Sequence, residues 1–186
     1  MTSPALLLVC CLVFVSLAAV WDLRTGTIPN YISLGALGVG LALHVAVHVV
    51  DLRSSTTFSA VLAGVFDGAL GIVLCGLTPY LLFRVDAMGG GDVKLLAAVG
   101  AFAGPTMGLE VELSAFIAMA LFAPARLAYE GKLLAVLGNT LVLVANPFLP
   151  KQRKRELPRE LLTPFKFGPA VLVANVVVLL AHWVDR

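Results

Sequence analysis

Charge is scarce in this sequence. Of 186 residues, 13% are charged and 60% are hydrophobic, and the mean hydropathy is +0.98. A soluble domain of this length carries about 25% charged residues, so an ordinary water-soluble domain is excluded. The net charge of +2 is too small for a surface that neutralises phosphates, and no nucleic-acid partner is expected. Cysteine is scarce as well. Cys10, Cys11 and Cys75 all lie in apolar runs, their number is odd and no CxxC pair occurs, which argues against a disulfide framework or a cysteine zinc site. Internal repeats and low-complexity tracts are absent. Met1 to Pro4 carry no Lys or Arg, and the apolar run Ala5 to Val20 leads straight into Trp21-Asp22 without a small-residue cleavage pattern. That run reads as a retained first helix rather than a secretory leader.

What is present is a series of apolar segments, several near the roughly 20 residues that cross a bilayer as a helix. Six stand out, at about 4–21, 31–50, 58–83, 93–109, 111–128 and 168–184. Turn chemistry separates them: Thr25-Gly26-Thr27-Ile28-Pro29-Asn30, then Asp51-Leu52-Arg53-Ser54-Ser55, then Arg84 to Gly91, with Gly104-Pro105 near a further turn. The expected fold is all-α, a polytopic membrane helical bundle of about six transmembrane helices forming a single domain over 1–186.

The region 131–167 either holds a seventh span or lies along the membrane surface. Cytoplasmic loops are enriched in Lys and Arg. If 131–146 does not span, the loops at 21–30, 84–94 and 126–167 share one side. They then hold Arg24, Arg84, Lys94, Arg126, Lys132, Lys151, Arg153, Lys154, Arg155, Arg159 and Lys166, eleven of the 13 basic residues. Only Arg53 and Arg186 lie opposite. Six spans follow, with both termini outside and 131–167 inside, its apolar part along the cytoplasmic interface. The run 151–160, which opens on the basic stretch Lys151 to Glu156, suits an orientation signal and a contact for anionic lipid headgroups.

On this topology Asp22, after the first span, and Asp92, at the start of the fourth, share the cytoplasmic membrane face. Charged groups near hydrocarbon need a partner, a water path or a job. Two carboxylates brought together suit peptide hydrolysis, because like charges at close range do not both ionise easily and one proton is shared. The ionised Asp takes a proton from water while the protonated Asp polarises the scissile carbonyl. Gly89-Gly90-Gly91 before Asp92 permit positive φ and close approach of an extended substrate. The structural alternatives are that Asp92 merely caps a helix and that Asp22 caps a helix end or pairs with Arg24.

Trp21-Asp22-Leu23-Arg24-Thr25-Gly26-Thr27-Ile28-Pro29-Asn30 resembles the first active-site motif of type IV prepilin peptidases, Asp-x-Arg-(x)3-Ile-Pro-Asn. Gly89-Gly90-Gly91-Asp92-Val93-Lys94-Leu95 is similar to their second, Gly-x-Gly-Asp followed by x-Lys. Thr163-Pro164-Phe165-Lys166-Phe167-Gly168-Pro169-Ala170 resembles a less specific segment before the family's last helix. The Gly-x-Gly-Asp element is also similar to that of presenilin-like intramembrane aspartic proteases. The resemblance implies that Asp22 and Asp92 are the catalytic pair of an aspartic endopeptidase. It implies a bacterial inner-membrane enzyme that cuts the leader of prepilin-like proteins at the cytoplasmic face without a cofactor. Larger members carry an N-terminal cytoplasmic domain with paired cysteines and N-methylate the new amino terminus. This sequence has no counterpart of that domain, looks like the short form associated with tight-adherence pili, and is not expected to methylate.

Around the pair, Arg24 and Lys94 either tune an aspartate, bind substrate or obey positive-inside placement. Pro29 and Asn30 shape the start of the second helix or support the site, as Gly89, Gly90 and Gly91 do. Asp67, inside the third span, is expected to make a local or helix–helix hydrogen bond far from the pair, and Asp86 to serve a loop or cap. His44 and His48, spaced i, i+4, share a helical face and can bind a metal. No third ligand is evident in sequence beside them, so no metal is assigned and an interfacial face is expected; His182 reads the same way. The competing functions are a non-catalytic scaffold or small transporter with structural or ion-binding aspartates and, more weakly, a multipass metal carrier.

Overall fold

The structure is a computed structural model and describes residues 3–51, 57–85, 87–131, 134, 138 and 166–184. The regular elements among them are five helices: α1 (Ser3–Thr25), α2 (Asn30–Asp51), α3 (Thr57–Arg84), α4 (Gly90–Tyr129) and α5 (Gly168–Val184). Four of them, α1 to α4, are long and apolar enough to cross a membrane, and α5 is a shorter apolar helix. Large apolar side chains point outward on each, among them Leu17, Val39, Phe66, Leu121 and Val177, all more than half exposed. Such a surface is at home in lipid tails, which are as apolar as leucine. The chain is an all-α polytopic membrane bundle.

It divides into two compact units, residues 1–118 with 166–186, and 119–165. In the second, the described part is chiefly the end of α4, where Arg126 and Glu130 pair at 2.9 Å and Gly131 takes φ 70°. The basic stretch from Lys151, Asp86 and most of 131–167 lie outside the described residues.

The first unit is built on α1, which packs against α5 and α2, with α2 packing on α3. Its core is aliphatic: Leu8 and Val15 of α1, Leu95, Leu96 and Val99 of α4, and Val171 of α5 are fully buried. Phe14 and Phe102 stack at 6.0 Å between α1 and α4. At Gly71 of α3 and Gly100 of α4 the two backbones come so close that neither position has room for a Cβ. Small residues at helix crossings permit this kind of approach.

The helix count corrects the sequence reading. The fourth and fifth expected spans, 93–109 and 111–128, are one element, α4, bent at Gly104 (φ 71°, ψ −176°). The bend is sharp. A Cβ on Gly108 would lie 3.2 Å from the Gly100 Cα, whereas eight residues of straight helix span about 12 Å. The turn therefore falls at Gly104 rather than near residue 110. Glycine is required there because the left-handed φ is costly for any residue with a Cβ. The limb beyond it runs antiparallel to α5: Glu110 meets His182 at 2.7 Å, and Phe116 meets Phe167 at 5.6 Å. The limb before it, residues 90–103, is about 21 Å long at 1.5 Å per residue, shorter than the ~30 Å hydrocarbon core. Glu112, beyond the bend, is 3% exposed.

Candidate active site at the ends of three helices

Asp22 lies one turn from the end of α1. Gly26, at φ 70°, ends that helix by returning its N–H to the Asp22 carbonyl at 2.8 Å. This is the left-handed cap that the Thr25-Gly26 pair predicts. The Thr25 hydroxyl lies 2.9 Å from the Trp21 carbonyl. The Lys166 ammonium donates to the Leu23 carbonyl at 2.6 Å, adding a cation at the negative end of the helix dipole. Asp22 is 6% exposed, and its Oδ2 accepts the backbone N–H of Gly168 at 3.1 Å. Gly168 is the first residue of α5, so its N–H is one of the donors a helix start leaves unpaired. A carboxylate from α1 thus caps α5. The fit is close: a Cβ on Gly168 would meet Asp22 Oδ2 at 3.0 Å and the Ala19 Cα at 3.2 Å.

Asp92 sits at the start of α4, with its side chain half-buried. Its N–H and that of Val93 return to the Gly89 carbonyl at 3.1 and 3.4 Å, making Gly89 the N-cap and Asp92 the third helical residue. From there its carboxylate reaches back to the Gly89 N–H, which is the acidic half of a capping box. Both aspartates therefore lie at positive helix ends, Asp92 on α4 and Asp22 on α5, where a negative charge is stabilised.

The two motifs meet. Lys94 donates to the Asn30 side-chain oxygen at 2.6 Å, tying α4 to the start of α2. Ile28 is buried and packs beside Gly91, where a Cβ would sit 3.6 Å from the Ile28 Cβ. Pro29 begins α2, its carbonyl accepting the N–H groups of Ile32 and Ser33. Arg24 is exposed, in the last turn of α1.

Two expectations change. None of Gly89, Gly90 and Gly91 takes positive φ; the glycines that do, among the described residues, are Gly26, Gly104 and Gly131. The motif glycines form the cap and first turn of α4 instead. His44 is not on an interfacial face: it is 3% exposed, and the Asp67 carboxylate lies 2.8 Å from its Nε2. Asp67 makes the helix–helix contact expected of it, and it supplies the third ligand-type group that the sequence did not reveal. Gly168 and Lys166 were missed as site residues. The segment Thr163 to Ala170 carried the signal, but nothing in it said that a backbone N–H was the functional part.

Two carboxylates framed by helix starts thus form the candidate site of this membrane bundle. The sequence model of the type IV leader peptidase family matches residues 7–124, and the chain belongs to that family. It is 37% identical over 97 residues to the prepilin leader peptidase/N-methyltransferase of Dickeya chrysanthemi, an alignment covering 52% of this chain and 32% of that protein. The chain thus spans about a third of that relative's length. No solved structure matches it.

Proposed function

We propose that the chain is a membrane aspartic endopeptidase that removes the leader of type IV prepilin-like proteins. The reading rests chiefly on one observation: the two motifs that carry Asp22 and Asp92, 70 positions apart in the sequence, are brought together where Lys94 donates to Asn30 and Ile28 packs beside Gly91. Family membership and the curated relative's name support the substrate class. One ionised carboxylate accepts a proton from water, which adds to the scissile carbonyl. The other carboxyl gives its proton to the carbonyl oxygen, and the tetrahedral intermediate collapses as the new amine is protonated. The Gly168 N–H holds Asp22 and the Gly89 N–H holds Asp92, so each carboxylate keeps its orientation without a cofactor. Lys94 and Asn30 hold the two motifs in register as positioning residues.

We place the pair at the cytoplasmic membrane face of the bacterial inner membrane, from the distribution of Lys and Arg. There a prepilin would present its leader while its following apolar helix stays in lipid. Co-expression with a prepilin of this type tests the reading. Asp22→Asn and Asp92→Asn should insert normally and leave the prepilin at full length. Full cleavage by both would favour a scaffold or transporter whose aspartates serve only as helix caps.

A further inference from the structure

The end of α2 far from the aspartate pair holds a second cluster of polar groups. His44 and His48 lie one turn apart on α2, and their rings stack at 4.9 Å. Asp67 reaches them from α3. One ligand atom from each of the three falls within 4.8 Å of the others. His44 is 14 residues past Asn30, about 21 Å along the helix, so this cluster is separate from Asp22 and Asp92.

Hydrogen bonding fixes which nitrogens are available. His44 Nδ1 lies 3.2 Å from the Phe102 carbonyl, and His48 Nδ1 lies 3.1 Å from the His44 carbonyl. A carbonyl oxygen only accepts, so both Nδ1 atoms carry the hydrogen and each neutral ring keeps a bare Nε2. His44 Nε2 nevertheless faces the Asp67 carboxylate at 2.8 Å. Two acceptors do not approach that closely without a cation between them, either a proton on Nε2 or a metal ion. A proton satisfies His44 and Asp67 but gives the bare Nε2 of His48 no role. A metal ion uses all three.

We propose that His44, His48 and Asp67 bind a divalent transition metal of the zinc class. Two imidazoles and one carboxylate are a usual zinc set, and histidine ligands characteristically give their other N–H to a backbone carbonyl, as both do here. A tetrahedral ion at ordinary bond lengths needs its ligand atoms roughly 3.3 Å apart, which falls between the 2.8 Å contact and the 4.8 Å limit of the cluster. The Asp67 side chain is 40% exposed, so the cluster is left open on one side, where a fourth ligand has room. The bend of α4 is fitted to the cluster. A Cβ on Gly104 would meet His44 Cε1 at 3.0 Å and Asp67 Oδ2 at 3.1 Å, so the helix passes there only as glycine. A bound ion would tie α2 to α3 against that bend.

The test uses the full chain without a polyhistidine tag, purified in detergent, stripped with EDTA and titrated with Zn²⁺. About one Zn²⁺ per chain should remain after gel filtration, and Co²⁺ in its place should give the visible bands of a tetrahedral site. Single His48→Gln and Asp67→Asn variants should each weaken Zn²⁺ binding at least tenfold and lose the rise in melting temperature that Zn²⁺ gives the parent protein. His182→Gln, on a different helix pair, should bind as the parent does. Absence of stoichiometric zinc and of tetrahedral Co²⁺ bands in the parent protein would leave only a proton between His44 and Asp67 and overturn the proposal. Unchanged affinity in both variants would overturn it as well.

Discussion

Gly168 illustrates how a single backbone group can matter more than the side chains near it. Its N–H holds Asp22, and the surroundings leave little space for a Cβ. Gly168→Ala should shift the Asp22 carboxylate or the start of α5. It is expected to lower stability by about 1–3 kcal/mol, the usual cost of overpacking, and to reduce cleavage; a melting curve and a cleavage assay check the two effects. Lys94 and Asn30 give a finer test. Their hydrogen bond is exposed at 2.6 Å and should contribute no more than about 1 kcal/mol, or a few-fold in rate. Lys94→Met and Asn30→Ala should each slow cleavage by less than about tenfold. The double variant should be no worse than either alone, since both remove one interaction; multiplying losses would mean separate roles. At this scale the sequence offers the aspartates as candidates, because two spaced motifs single them out. It was silent about Gly168, whose contribution is a main-chain donor that any residue type carries. It was silent too about Asp67 meeting His44, because a contact between residues 23 positions apart on two helices leaves no local pattern.

At the scale of elements, α4 departs most from its sequence pattern. Hydropathy places the boundary near residue 110, between the apolar segments 93–109 and 111–128. The physical boundary is Gly104, whose φ of 71° permits the bend, followed by Pro105, which has no N–H to continue the ladder. Both residues were visible as a turn signal, yet they sit inside an apolar run that hydropathy reads as continuous. Gly104→Ala should cost at least about 1–2 kcal/mol from left-handed strain, more with the contacts to His44 and Asp67, and would appear as a lowered melting temperature. A variant as stable as the parent would mean that the bend is not built as described. The end of α1 and the start of α2 were more legible, because Thr25-Gly26 and Pro29-Asn30 are local capping chemistry with little dependence on tertiary packing.

For the whole molecule, composition settled the class: a chain with 13% charge and outward-facing Leu, Val and Phe is a membrane bundle. The sequence did not settle how the helices come together, since apolar helices in lipid carry no strong pattern that names their partners. Packing of α1 against both α2 and α5 brings the Asp22 end of α1 to the starts of α4 and α5. A shared-proton pair has a whole-molecule signature in pH. Cleavage should fall at low pH, where both carboxyls are protonated and no base remains. It should also fall at high pH, where both are ionised and no acid remains, giving a bell-shaped profile whose two limbs belong to the pair. The most direct test of the pairing is the cleavage rate of the purified, reconstituted protein compared among Asp22→Asn, Asp92→Asn and the double variant. If the two carboxylates act as one unit, each single variant loses as much activity as the double. Substantial cleavage by either single variant, or losses that multiply in the double, would contradict a shared catalytic pair.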